Sequence, residues 1–279
     1  MKTKISLIVL VLFGLVLCNC SEDTGGSDTG RLRVQLTDAP FPYDLIAEAN
    51  VTIFKIEARY KKDDDGMDDE MDTENDSSED GGRPFITLME IDKDINLLEL
   101  TNGVTENLVD MEVPAGEYDL IRIYVRGVNV LLKDGRMFDL KVPSGPQTGI
   151  KVFIDPPLVV AGGLTADLLL DFDVSRSFVA RGNPNKEEFN GFNFKPVIKA
   201  SNLTTSGSLA GNVFTTLEDE TQEALEGAQV ALYIADTLNT TTFSNEDGSY
   251  MVMGLEAGSY TVEVQLDTYE TQTVEGVSI

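Results

Sequence analysis

The chain of 279 residues carries 48 acidic against 21 basic side chains, a net charge of −27, with no histidine, no tryptophan and two cysteines. Without histidine the chain cannot build a Ser-His-Asp or Cys-His nucleophilic site, and it lacks the commonest metal-ligating side chain. Such acidity repels nucleic acid, whose binding rests on Lys and Arg contacts to phosphate, and it disfavours adsorption to anionic lipid.

At the N-terminus, Lys2 and Lys4 precede an apolar run, Ile5–Leu17, of 13 residues interrupted by Ser6 and Gly14. A membrane-spanning helix takes roughly 20 residues, whereas the apolar region of a secretory signal takes roughly 7–15. Cys18 and Cys20 follow, with Leu17 three residues before Cys20 and Asn19 directly before it. This order resembles a bacterial lipoprotein signal, although Asn19 is bulkier than the Gly, Ala or Ser usual there. The resemblance implies a signal peptide over 1–19 and lipidation of Cys20 as the first mature residue. Cys18, directly preceded by bulky Leu17, fits less well. Cleavage would part the two thiols, which leaves no disulfide and no thiolate zinc site. Residues 20–29 hold no aliphatic or aromatic side chain to bury and read as a flexible tether. The acidic pair Glu22-Asp23 resembles the signal that exports some lipoproteins to the outer face of a Gram-negative outer membrane. The implied location is that membrane, with the domains lipid-anchored and facing the cell surface.

From residue 30 the pattern is short strands and turns. "RLRVQL" alternates polar residues with Leu32, Val34 and Leu36, and "NVTIFKIEARY" does the same with Val51, Ile53 and Ile56. Further β-rich runs are 84–89, 118–125, 128–133, 137–142, 150–154, 164–174 and 192–200, punctuated by Gly, Pro, Asn and Asp. Residues 94–110 are the one stretch read as holding a short helix. Residues 63–80, "DDDGMDDEMDTENDSSED", hold 11 acids, no base, and only Met67 and Met71 as apolar side chains. They read as a self-repelling, solvated insert. They do not fit the alternating oxygens, glycine and terminal glutamate of an EF-hand loop.

A polar linker at 201–206 leads to a second set of strands over 207–279, a segment without Lys or Arg. Within it "NEDGSY" is a tight-turn signal, since Asp-Gly supplies the positive φ such a turn requires. One phrase occurs in both halves: "VPAGEYDLIRIYV" at 113–125 and "LEAGSYTVEVQL" at 255–266. It predicts that Tyr118 and Tyr260 each start a strand at a sandwich edge, with the hydroxyl on a nearby backbone carbonyl. The fold class is therefore all-β, two tandem antiparallel β-sandwiches after a lipoprotein signal.

Residues 30–200 resemble the domain of unknown function 4382, through "LRVQLTDAP", "INLLELTNG", "VPAGEYDLIRI", "VPSG", "LLLDFDVSRS" and "FKPVIKA" in order. That resemblance implies secreted or lipid-anchored proteins and no known activity. Residues 207–279 resemble carboxypeptidase regulatory-like domains, through "SGSLAGNV", "LEGAQVAL" and "SNEDGSYMVMGLEAGSYTVEV". These are transthyretin-like, non-catalytic modules, some of whose relatives bind carbohydrate.

The best candidates for chemistry are carboxylates. Period two puts Asp171 and Asp173 on one face of a strand, with Asp38 of "LTDAP" a neighbour. The three suggest a calcium site, since hard cations take several oxygens. The alternative is a set of acids bonded to turn amides or to Arg122, Arg126 or Lys199. The resemblances imply a non-enzymatic, lipid-anchored envelope protein without a cofactor, touching the membrane through its N-terminal lipid and binding a protein or glycan partner, and the charge excludes nucleic acid. A carbohydrate-binding surface module is the second reading, and a carboxylate-based hydrolase a distant third.

Overall fold

The computed structural model describes residues 28–39, 45–62, 83–143 and 145–279. The signal, the tether up to residue 27 and the acidic insert lie outside the described residues. Among the described residues no helix is long and apolar enough to cross a membrane.

The first module contains β1 (Thr29–Ala39), β2 (Ile46–Lys62), β3 (Phe85–Met89), β4 (Lys93–Asn96), β5 (Glu106–Pro114), β6 (Gly116–Leu132), β7 (Met137–Asp139), β8 (Ile150–Val160), β9 (Thr165–Asp173), β10 (Phe178–Ala180), β11 (Phe192–Phe194) and β12 (Ile198–Asn202). One sheet runs β12-β9-β1-β5. The other runs β3-β2-β6-β7, with β4 also paired to β2 and β8 to β6. Alternation builds the shared core. Leu32, Val34 and Leu36 of β1 and Leu168, Leu170 and Phe172 of β9 join Val51, Ile53 and Ile56 of β2 and Ile121, Ile123 and Val125 of β6. A second layer of aromatic packing closes one end, where Phe172, Phe178 and Phe194 stack within 5.2–6.4 Å of each other.

Three details depart from the sequence expectation. The runs at 118–125 and 128–133 are one strand, β6, because Gly127 fits closely against Thr52 of β2 instead of breaking the ladder. The helix expected within 94–110 is a single 3-10 turn, Leu97–Glu99, capped by the Asn96 side chain. Its flanks are claimed by β4 pairing to β2 and β5 pairing to β1. Finally, β1 and β9 pair in parallel, the one departure from an antiparallel pattern among the described residues. A parallel neighbour requires a long crossover, and here it is made by everything between residues 39 and 165.

The second module contains β13 (Gly207–Asn212), β14 (Phe214–Thr216), β15 (Gln222–Ala224), β16 (Gln229–Ile234), β17 (Thr237–Phe243), β18 (Ser249–Leu255), β19 (Ser259–Gln265) and β20 (Gln272–Ser278). Its main sheet runs β17-β16-β19-β20, faced by the β13-β18 and β14-β15 pairs. Val230, Leu232, Val252, Leu255, Tyr260 and Val262 form the core. The Asp247-Gly248 turn is tight, with Gly248 at φ 78°. It does not close a two-stranded ladder, however. It carries the chain from β17 in one sheet to β18 in the other.

Both tyrosines of the repeated phrase are buried. The Tyr118 hydroxyl donates to the Pro114 carbonyl at 2.7 Å, and the Tyr260 hydroxyl donates to the Glu256 carbonyl at 2.9 Å. The spacing is four residues in each case, so each ring locks the strand to the turn before it.

Candidate functional site at the seam between the modules

The outer face of the β12-β9-β1-β5 sheet meets the second module at one end. In register across it, Thr37 of β1 lies beside Asp171 of β9, which lies beside Lys199 of β12. These three occupy the face opposite the first core. Leu169, two residues before Asp171, is also on that face and is buried. The run Leu168–Leu170 is thus covered on both sides, once by the first core and once by the second module.

The second module is held there by specific contacts. Asn102, at φ 55° in the turn after the 3-10 helix, accepts from the Thr242 hydroxyl at 2.8 Å and donates to the Asn245 side chain. Lys199 donates to the carbonyl of Asn239. Gly254 sits at φ 72°, and a Cβ there would stand 3.0 Å from Ser201 Cβ and 3.1 Å from Leu169 Cδ2. Only glycine satisfies both the backbone angle and that approach.

Where the seam closes, a cavity of about 20 Å³ lies between Thr37, Asp38, Asn102, Gly103 and Asp171 of the first module and the Thr240–Thr242 and Met251–Met253 segments of the second. Asp38 is 5% exposed. Its Oδ1 accepts the Val174 amide at 3.2 Å, while its Oδ2 has no hydrogen-bond donor. Burial pushes the Asp38 carboxyl well above the usual carboxylate range, and the charges of Asp171 and Asp173 add to it. Asp171 is raised to about 6, again chiefly by burial, against the opposing pull of Lys199.

Asp173 has a different role. It caps the short helix Val174–Ser177, accepting from the Arg176 amide at 2.9 Å and the Ser175 hydroxyl at 2.7 Å, and it pairs with the Arg176 guanidinium at 2.5 Å. Its oxygens are engaged, as at an ordinary N-cap. Of the predicted acids, the structure therefore brings Asp38 and Asp171 to one cavity and ties Asp173 into the backbone beside it. Among the described residues, no group of three or more acidic or thiol side chains is arranged to hold a metal. Of the candidate basic partners, Arg122 stacks on Phe85 at 3.8 Å, and Arg126 stacks on Phe54 and pairs with Asp92 at 3.0 Å. Lys199 alone stays near the acids. Cys20 lies outside the described residues.

Sequence reasoning missed Asn102, Thr242, Asn245 and Gly254. Two signals pointed to them. Asn102-Gly103 is a turn dipeptide beside the seam, and three consecutive leucines in one strand mean burial on both faces.

These features define a two-module, all-β protein whose modules share a polar seam. The family model described as "Domain of unknown function (DUF4382)" matches residues 29–196, so the chain belongs to that family, and the model for the carboxypeptidase regulatory-like domain matches residues 212–279. No curated protein matches the chain. Among solved structures, the Bacillus anthracis TIE protein is similar at 12% identity and a TM-score of 0.21; the match covers 90% of this chain and 32% of that one, so the chain spans about a third of its length.

Proposed function

We propose that the chain is a non-enzymatic, lipid-anchored protein of a Gram-negative outer membrane that displays its two β modules as one body for binding a protein or glycan partner. The observation that carries the non-enzymatic reading is the size of the seam cavity. Two of the predicted carboxylates, Asp38 and Asp171, line a cavity of only about 20 Å³, which is room for about one water, whereas pockets for organic ligands take roughly 300–1,000 Å³. A hydrolytic carboxylate pair must face its substrate. The anchoring half rests on the order Leu17, Cys18, Asn19, Cys20 followed by an acidic tether. Since β1 starts at Thr29, the tether would hold the first module close to the membrane. Two or more acyl chains would make that anchoring stable. Growing cells on a fatty-acid probe tests it. The wild-type chain is expected to be labelled and Cys20→Ala unlabelled; equal labelling of both sinks the anchor. Protease digestion of intact cells then reports which side of the membrane the modules face.

A second reading has one specific observation in its favour. The second module carries an open groove of about 760 Å³ lined by Tyr269, Phe243, Gln229, Gln265, Asp267 and Glu226. Tyr269 is 46% exposed. An exposed aromatic ring among amide and carboxylate groups suits a sugar. A glycan array with hits for the wild type that vanish in Tyr269→Ala would favour carbohydrate binding, and an array without hits would end it.

A further inference from the structure

We propose, building on the carbohydrate reading of the Tyr269 groove, that the ligand is a saccharide chain of several units, laid across the outer face of the second module and over its edge into the seam, so that one ligand touches both modules. Strand register sets the floor of this groove. Gln229 of β16 lies opposite Phe243 of β17 on one side and opposite Gln265 of β19 on the other. The next residues along, Val230 and Val264, belong to the core, so by alternation the row of Phe243, Gln229 and Gln265 points outward. The row spans two inter-strand steps, about 10 Å. Tyr269, in the loop after β19, adds a second ring to the same groove. A ring offers a flat apolar face to the C–H side of a sugar, and each amide offers donors and an acceptor to its hydroxyls. Glu226 and Asp267 line this end as well, and their charge selects neutral sugar units there over acidic ones.

The groove does not stop at the module's edge. Gln229 also lines a second cavity, of about 120 Å³, between Leu238 and Thr241 of β17 and Asp173, Ser175 and Arg176 of the first module. Since β17 is the edge strand of its sheet, this cavity lies where the outer face runs up against the first module. Arg176 is half exposed there. Its Nε holds Asp173, and among the described residues no partner takes its two amino groups. Gln229 thus joins a sugar-sized groove with two rings to a smaller pocket with an open guanidinium. A single sugar covers one end only, whereas a chain that reaches from Tyr269 to Arg176 crosses the whole row and the strand edge beyond it.

The test is an array printed with mono- to hexasaccharides cut from glucan, mannan, xylan and chitin, followed by calorimetry on the full chain in detergent with the series that scores. Affinity is expected to rise with chain length, and the bound hexasaccharide to move the unfolding of both modules together to higher temperature. Tyr269→Ala is expected to lose binding at every length. Arg176→Ala is expected to keep the wild-type affinity for the disaccharide, which also reports that it has folded, and to bind the hexasaccharide about tenfold more weakly than the wild type does. Equal affinity for mono- and hexasaccharide overturns the extended groove and leaves the carbohydrate reading standing. So does an Arg176→Ala chain that binds the hexasaccharide as tightly as the wild type. An array without hits removes both.

Discussion

The repeated tyrosine shows how much a single side chain can fix. Tyr118 and Tyr260 are both buried, and each sends its hydroxyl four residues back to a carbonyl. Removing the hydroxyl leaves a buried carbonyl without its donor, which costs about 1–3 kcal/mol. Tyr118→Phe and Tyr260→Phe are each expected to lose that much in urea unfolding, while Tyr269→Phe, on the open surface, should change nothing measurable. Both corners were legible in the sequence because donor and acceptor are local; the phrase carries its own geometry. The acid pair was only half legible. Period two placed Asp171 and Asp173 on one face, but the Ser175 hydroxyl and the Arg176 amide captured Asp173, and the cover over Asp171 comes from residues far along the chain. That cover has a pH signature. The folded chain holds the Asp171 proton up to about pH 6, against 3.8 for a solvent-exposed aspartate. A raised carboxyl favours the folded state below pH 3.8, and that contribution is lost as pH rises through 6. The shift corresponds to at most about 3 kcal/mol. Wild-type stability should therefore fall between pH 4 and 6.5, and Asp171→Asn should flatten that part of the profile. An identical slope in both proteins would exclude Asp171 as the titrating group.

At the scale of elements, strands were readable and their partners were not. The alternation of β1, β2 and β6 names core residues directly, since period two needs no knowledge of the neighbour. Pairing β1 with β9 in parallel, or sending the Asp247-Gly248 turn between sheets, depends on where a strand's second edge lands, and nothing within a ten-residue window encodes that. The seam is the extreme case: Asn102 and Asn245 meet across 143 residues of sequence. Its weakest geometric tolerance is at the start of the last turn of β18. Gly254 has φ 72° and no room for a Cβ beside Ser201 and Leu169. A β-branched residue there carries a backbone cost of about 1–3 kcal/mol and must also push the modules apart. Gly254→Val is expected to split unfolding into two calorimetric transitions, the earlier one belonging to the second module, where the wild type shows a single one. Asn102→Gly removes two seam hydrogen bonds while tolerating the φ of 55° and should give the same split in weaker form. Two transitions already present in the wild type would mean that the seam couples the modules less than its contacts imply.

For the whole molecule, charge and fold are separable. The first module pairs many of its acids with basic side chains, with Arg59 and Arg83 both on Asp119 and Arg33 on Asp167. The densest run of acids, 11 in residues 63–80, lies outside the described residues. The strands on either side show why the sheet can do without it. β2 and β3 are direct antiparallel neighbours, with Arg59 opposite Phe85, and the Tyr60 amide donates to the Pro84 carbonyl at 3.2 Å. The insert therefore joins two chain ends that already lie side by side, where a hairpin turn would suffice. Closing a shorter loop costs less entropy, on the order of 1 kcal/mol for a cut of this size, and removing the acids lowers the self-repulsion of the folded chain. Deleting 63–80 should leave the melting temperature unchanged or raise it by a few degrees, with the gain shrinking as salt screens the charge. A large loss of stability would place the insert within the fold, and the acidity of this chain would then need a structural explanation, not one of solubility alone.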